Sequence, residues 1–271
     1  MPVLECQFPA EGVALLRLNR PERMNALDVE LIGALRSALA EHAANEQTKA
    51  VIITGTGRAF CSGADLVSFL SGASLDPASV GRQVARSMDV AFNPLMRDMM
   101  AFSKPIVTAI NGMAAGGGAA LALCADVILA GKSAKLKFVQ VPQLGCVADL
   151  GGNWLLQRLA GRATALGAIL LGETISADRA AGLGLIWEVI EDGALVARAV
   201  EVAVRLAQVP REAVVGTRRL VDMSATATFD DILECERLYQ HELAGRPDLA
   251  ATVAVFLAEK SQAAGKQGSS E

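Results

Sequence analysis

The sequence predicts an α/β fold built in layers, and three observations carry that expectation. Residues 50–54 (AVIIT), 105–110 (PIVTAI) and 126–130 (DVILA) are continuous apolar runs, as expected of strands covered on both faces. The first two runs each pass into a glycine-rich loop, GTGRAFCSGADL at 55–66 and NGMAAGGGAALALCAD at 111–126, and each loop opens a helix. Apolar residues make up 52% of the 271, ample for a large core and inconsistent with disorder.

The elements follow in order. Residues 3–7 and 13–18 are short β-favouring runs split by Glu11-Gly12, a hairpin pattern. Asn19-Arg20-Pro21 ends the strand. Asp28 is a good N-cap, and Leu31, Leu35, Ala38 and Leu39 repeat at helical spacing to about Ala44. Residues 80–101 read as a helix with Met88, Phe92, Leu95, Met96 and Met99 along its core side, kinked at Pro94. Residues 136–138 form a strand and 140–145 a loop. Asp149 and two glycines precede an amphipathic helix bearing Trp154, Leu155 and Leu159. Residues 163–171 and 177–183 are helical, and 187–190 is the last strand. Beyond residue 193 only helical patterns remain, at 194–207, 211–223, 229–243 and 249–260. The expected division is a core over 1–195, a helical region over 196–260 and a small, polar, disordered tail over 261–271.

A formal net charge of −4 argues against an electrostatic nucleic-acid binder. The five cysteines are scattered and form no C-x-x-C, which fits reduced thiols in the cytoplasm. The N-terminus has neither the basic start nor the apolar stretch of a signal peptide. Residues 106–130 are apolar enough to suggest a membrane span, but Asn111, Asp126 and four glycines mark them as core. The two histidines, His42 on an exposed helix face and His241 in the C-terminal helices, are too far apart in sequence to suggest a metal site.

The loop at 111–126 has a chemical logic of its own. Glycines let the main chain approach a ligand closely, and the first turn of a helix has amides with no intrahelical partner. Such donors can stabilise a negative oxygen that exists only during a reaction. The alternative is a plain turn into a core helix.

Four stretches decide between these readings: LNRPERMNALD (18–28), GRAFCSGADL (57–66), KPIVTAINGMAAGGGAALALCAD (104–126) and ADLGGNWLLQRLAGR (148–162). In order and spacing they resemble the enoyl-CoA hydratase/isomerase (crotonase) superfamily, and the longer stretches at 93–123 and 144–163 resemble its epoxyphenylacetyl-CoA isomerase branch. The resemblance implies the crotonase spiral, repeated ββα turns forming two sheets wrapped by helices. It also implies a C-terminal helical region that builds a homotrimer or a dimer of trimers. The substrate would be an acyl-CoA, with no cofactor beyond its coenzyme A and with neither membrane nor nucleic acid as partner. The N–H groups of Ala64 and Gly117 would hold the thioester oxygen. Arg23, Ala26, Ala64, Asp65, Leu66, Val67 and Gly117 would line the coenzyme A site. Arg23 is then either a phosphate contact or a solvated loop charge, and Asp65 a residue that holds its loop together.

The pattern is also broken. Hydratases of this family place one glutamate where Ala120 stands and another at Val141, with a one-residue ambiguity that admits Gln140 or Pro142. None of these is acidic. Asp149 aligns with an aspartate of the isomerase branches and is the one carboxylate expected at the acyl chain; its plainer reading is an N-cap. Isomerisation with Asp149 as acid and base is therefore the expected activity. Hydration through Asp149 alone, or a non-catalytic acyl-CoA scaffold, are the alternatives. Cys61 and Cys146 have no histidine partner that would activate them. Asp126 reads as a strand-end cap. The stretches 67–87 and 80–101 are expected to wall the acyl pocket.

Overall fold

The computed structural model describes residues 1–70, 76–247 and 249–267. They fall into two compact units, Met1–Arg211 and Glu212–Glu271.

The first unit opens with an antiparallel hairpin, β1 (Leu4–Ala10) and β2 (Val13–Leu18), turned at Gly12, whose φ of 74° suits a residue without Cβ. Asp28 caps α1 (Val29–Ala44) by accepting a hydrogen bond from the Leu31 N–H at 2.8 Å. Three ββα turns follow. The first is β3 (Ala50–Gly55), β4 (Ala59–Cys61) and α2 (Leu66–Leu70). After α3 (Pro77–Ser87) and α4 (Asn93–Ala101) comes the second, β5 (Ile106–Ile110), β6 (Met113–Ala115) and α5 (Gly117–Leu123). The third is β7 (Val127–Gly131), β8 (Lys135–Lys137) and α6 (Gly152–Leu171). The unit ends with β9 (Ile175–Ser176), α7 (Ala177–Gly182), β10 (Glu188–Ile190) and α8 (Leu195–Ala207).

In each turn the first strand joins a six-stranded sheet, ordered β1-β2-β3-β5-β7-β10, and the second a four-stranded sheet, β4-β6-β8-β9. Strands β2, β3, β5, β7 and β10 run parallel. This is the expected spiral in two sheets. The larger sheet is covered on both faces. Val13 and Leu15, Ala50 and Ile52, Val107 and Ala109 pack with Leu195, Ala199, Val202 and Ala203 of α8. Their alternating neighbours Leu16, Val51, Ile53 and Ile106 belong to the main core. Helix α8 therefore sits on the sheet, and the boundary expected at residue 195 falls inside the first unit, which extends to Arg211.

Two local details differ from expectation. The helix at 80–101 loses α geometry just before Pro94. It widens into a π turn at Met88–Phe92, where the Asn93 N–H bonds the Met88 carbonyl. Pro94 lacks an N–H and its ring crowds the carbonyl four residues back, and the wider turn relieves that conflict. His42 is buried rather than exposed. The first hairpin lies over this turn of α1, so the ring meets Thr48 Oγ1 at 3.0 Å, Cys6 Sγ at 3.4 Å and the edge of Phe8. Burial holds its pKa below the ordinary value.

Residues 106–130 form core strands and helix as expected. No helix among the described residues is long and apolar enough to cross a membrane. Gly161, at φ 77° and ψ 167°, breaks α6 into the two helical segments read from the sequence.

The second unit consists of helices: α9 (Arg211–Met223), which starts at the boundary, α10 (Phe229–Ala244), opened by a Thr228/Asp231 capping box, and α11 (Leu249–Gln267). Helix α11 continues well into the segment expected as a disordered tail, and 268–271 lie outside the described residues.

Candidate active site

The first glycine loop leaves β4 through Gly63, whose φ is 95°. Ala64 then bridges Leu27 in parallel. The Leu27 N–H donates to the Gly63 carbonyl at 2.8 Å, and the Asp65 N–H donates to the Leu27 carbonyl at 2.9 Å. Parallel pairing uses the carbonyl before Ala64 and the amide after it, so the Ala64 N–H points the other way. The second loop ends at Gly116, at φ 53° and ψ −125°, whose N–H donates to the Lys137 carbonyl at 2.8 Å. Gly117 begins α5, where an amide has no intrahelical acceptor. Among the described residues neither the Ala64 nor the Gly117 N–H donates to an acceptor.

The loops meet backbone to backbone. A methyl on Gly63 would stand 2.8 Å from the Ala115 carbonyl oxygen and 3.2 Å from the Gly117 nitrogen. One on Gly118 would stand 2.2 Å from the Cys61 carbonyl oxygen, closer than real Cβ atoms come. These two contacts explain the glycines: a side chain at either position would collide with the backbone of the other loop.

The expected carboxylate arrives at the same place. Gln140, buried at the head of a π turn (Gln140–Leu144), donates Nε2–H to Asp149 Oδ1 at 2.8 Å. The same Nε2 lies 3.5 Å from where a methyl on Gly116 would be. Asp149 does not cap α6: Gly151 holds that position and no side chain bonds there. Its carboxyl is half-buried. Burial lifts its pKa above the ordinary carboxylate value, and the Gln140 amide and its own main-chain N–H partly oppose the shift. Leu150 follows at a left-handed φ of 49°, and a methyl on Gly117 would lie 3.1 Å from its side chain. Leu150 also lines an apolar cleft of about 230 Å³ with Met96, Met100, Cys124, Trp154 and Leu155.

The positions of the two family glutamates carry no charge. Ala120 is fully buried and Val141 half-buried. The residues expected around coenzyme A are gathered beside the first loop. Arg23 is exposed in a single 3₁₀ turn, Pro21–Arg23, where its carbonyl accepts from Ser62 Oγ at 3.4 Å. Ala26 is buried, while Leu66 and Val67 are exposed apolar side chains, Val67 at 71%. Asp65 is a loop-holding residue, as its sequence context suggests. It accepts from the Ser68 N–H at 3.1 Å and pairs with Arg20 at 3.1 Å. Burial pushes its pKa up, but the Ser68 N–H and Arg20 outweigh that and hold it below the ordinary value.

Asp126 accepts from the Ile106 N–H at 2.8 Å and so fixes the start of β5. Burial pushes the Cys61 thiol up to about 12, which removes it as a nucleophile at neutral pH. Cys146 is exposed beside the Leu144 carbonyl. The stretch expected to wall the acyl pocket is described in part. Helices α2 and α3 are joined through the Gln83 side chain, which donates to the Phe69 carbonyl, and 71–75 lie outside the described residues. Two contributors escaped the sequence reading. Gln140 entered it only through an alignment ambiguity. Asn25, buried at a left-handed φ of 55°, donates to the Thr56 and Ala59 carbonyls and ties the Arg23 turn to β4, a role that polar loop residues rarely advertise.

Residues 9–267 match the sequence pattern of the enoyl-CoA hydratase/isomerase family. The chain is 39% identical to the 1,2-epoxyphenylacetyl-CoA isomerase of Escherichia coli, over 93% of its own length and 94% of that protein's. It is 36% identical to a Rhodobacter capsulatus protein called a probable enoyl-CoA hydratase, over 93% of both chains. The crystal structure of an enoyl-CoA hydratase from Polaromonas sp. JS666 superposes with a TM-score of 0.86 at 28% identity, covering 94% of this chain and 97% of that one. With its spiral of ββα turns in two sheets, the chain belongs to the enoyl-CoA hydratase/isomerase family.

Proposed function

We propose that the chain is an acyl-CoA isomerase in which Asp149 carries the proton. The observation that supports this most directly is the half-buried Asp149 carboxyl, hydrogen-bonded by Gln140, whose amide lies beside Gly116, in a chain whose two other acid positions hold Ala120 and Val141. The thioester oxygen accepts hydrogen bonds from the Ala64 and Gly117 amides. Ionised Asp149 removes a proton from one carbon of the acyl chain, and the electron pair delocalises onto that oxygen as an enolate. The acid so formed returns the proton two carbons along, so the double bond migrates and Asp149 ends ionised. On an epoxide substrate the same carboxyl assists ring opening. Loss of one amide of this kind typically costs about 10²–10³ in rate. A raised carboxyl pKa suits a group that must both take and give a proton near neutrality.

Arg23, Ala26 and the turn from Ala64 to Val67 would receive coenzyme A, with the exposed Leu66 and Val67 side chains available to the methyl and methylene groups of its arm. The reading needs no cofactor beyond the coenzyme A of the substrate. Among the described residues no cysteine forms a disulfide, which supports a reducing compartment, the cytoplasm. We assign oligomerisation, as a homotrimer or a dimer of trimers, to the C-terminal helices.

The test is Asp149→Asn assayed for double-bond migration on a 3-enoyl-CoA. We expect turnover to fall by roughly 10²–10⁴ with KM little changed; undiminished turnover overturns the role. Hydration is the second reading, favoured by the name of the R. capsulatus relative. Addition of water to crotonyl-CoA faster than isomerisation would establish it. Tight binding of acyl-CoAs without turnover on any of them would instead support a scaffold.

A further inference from the structure

Asp149 takes a hydrogen bond from one protein side chain among the described residues, and that side chain is Gln140. Gln140 is 5% exposed, so its amide was taken out of water to make this contact. Its carbonyl oxygen, Oε1, is buried and has no hydrogen-bond partner. A buried acceptor without a donor costs stability, and turning the amide over would not help while Asp149 is ionised. That orientation would put two acceptors face to face at 2.8 Å. The carboxylate therefore selects the orientation that strands Oε1. Packing alone would be better served by an apolar side chain of similar length.

We infer that Gln140 is the positioning residue of the acid/base: its Nε2–H holds Asp149 Oδ1 and reserves Oδ2 as the oxygen that takes and returns the proton. The backbone supports this division. Gln140 is fixed at the head of the π turn by its own carbonyl, which accepts from the Cys146 N–H at 3.1 Å. Asp149 is fixed from the other side, where its carbonyl accepts from the Gly152 N–H at 2.8 Å. Both anchors are main-chain, so the Nε2–Oδ1 contact survives rotation of neighbouring side chains. Among the described residues no ion pair involves Asp149; burial raises its pKa, and the Gln140 amide and its own N–H lower it. Removing the amide leaves burial opposed by the residue's own N–H and frees the carboxyl to turn.

The inference rests on Asp149 as the proton carrier, so its test has one readout that needs no turnover. In Gln140→Met, which keeps the length and loses the donor, the Asp149 carboxyl is titrated by difference infrared spectroscopy with Asp149→Asn as the blank. We expect its titration to move to higher pH than in the unaltered protein. An unmoved titration overturns the inference whatever the enzyme does. In parallel, the pH profile of double-bond migration should move its acidic limb in the same direction. At neutral pH, kcat should fall by about 10–100-fold, typical of a lost orienting partner, with KM nearly constant. Gln140→Glu should move the titration further up, because a second carboxyl would compete for the proton. A moved titration with no activity in any variant would leave Gln140 in this role and remove isomerisation instead. A fall in kcat with both titration and profile unmoved would make Gln140 a packing residue.

Discussion

A carboxyl group in a half-buried place tends to keep its proton, and at Asp149 this has a thermodynamic consequence that can be read without a substrate. Its folded pKa lies above its unfolded one, so the folded state binds the proton more tightly. That contribution to stability is complete below the unfolded carboxylate value, about 3.9 for aspartate, and is lost as pH rises through the folded value. Asp149→Asn cannot ionise and so escapes the loss. We expect its Tm to exceed that of the unaltered protein at pH 7–8 and the gap to close as the pH falls toward 4, followed by thermal unfolding across that range. A variant less stable at every pH would contradict the burial argument. At this scale the sequence was informative where chemistry is tied to a residue type. Asp149 could be singled out because the resemblance aligns it with an aspartate of the isomerase branches. Gln140 could not, because an amide in a loop looks like any solvated polar residue until its partner is known. His42 was misplaced for a related reason: helical spacing defines a face but not what lies over it.

The elements show a different division. Long apolar runs such as β3 and β5 were read correctly, since a strand covered on both faces needs apolar residues throughout. The three- and two-residue strands β4, β6 and β9 were not, because so short a pairing leaves no periodicity to detect and is held by neighbouring backbone. The π turns at Met88–Phe92 and Gln140–Leu144 were also missed, although Pro94 signalled that the first helix had a problem to solve. Within α5 two adjacent glycines should behave differently. A Cβ at Gly118 meets the Cys61 carbonyl carbon at 2.7 Å and its oxygen at 2.2 Å, both backbone atoms that cannot move alone. A Cβ at Gly117 meets the Leu150 side chain at 3.1 and 3.2 Å, which can rotate. We expect Gly118→Ala to cost about 1–3 kcal/mol or more, a drop of roughly 2–12 °C in Tm. Gly117→Ala should change Tm by less, and alter acyl-chain preference by shifting Leu150 into the cleft. Equal stability losses in thermal unfolding would show that the two backbones do not approach as described.

At the scale of the whole molecule, the first unit buries its apolar strands and helices thoroughly, while the second does not. Among the described residues of Glu212–Glu271 no apolar side chain is fully buried, and Phe229, Leu233 and Leu238 of α10 remain 77%, 45% and 52% exposed. Helices with so little interior of their own are marginal alone and are commonly completed by copies of the same chain. The paired substitution Leu233→Glu with Leu238→Glu should shift the protein to smaller species in light scattering and leave the circular dichroism of the strand-rich unit intact. An unchanged mass would remove α10 from the interface. The sequence indicated this helical region but placed its start too early. Helix α8 reads as one more helix in the C-terminal run, and its contacts with the large sheet assign it to the first unit.

One last consequence follows from where the two candidate donors reside. Ala64 and Gly117 each present a peptide hydrogen, and no exchange of side chain short of proline deletes it. Whatever a lineage does at positions 120, 140, 141 and 149, both peptide hydrogens persist. A scaffold of this kind can change its repertoire by trading a handful of side groups, with no need to invent its anion-holding machinery again.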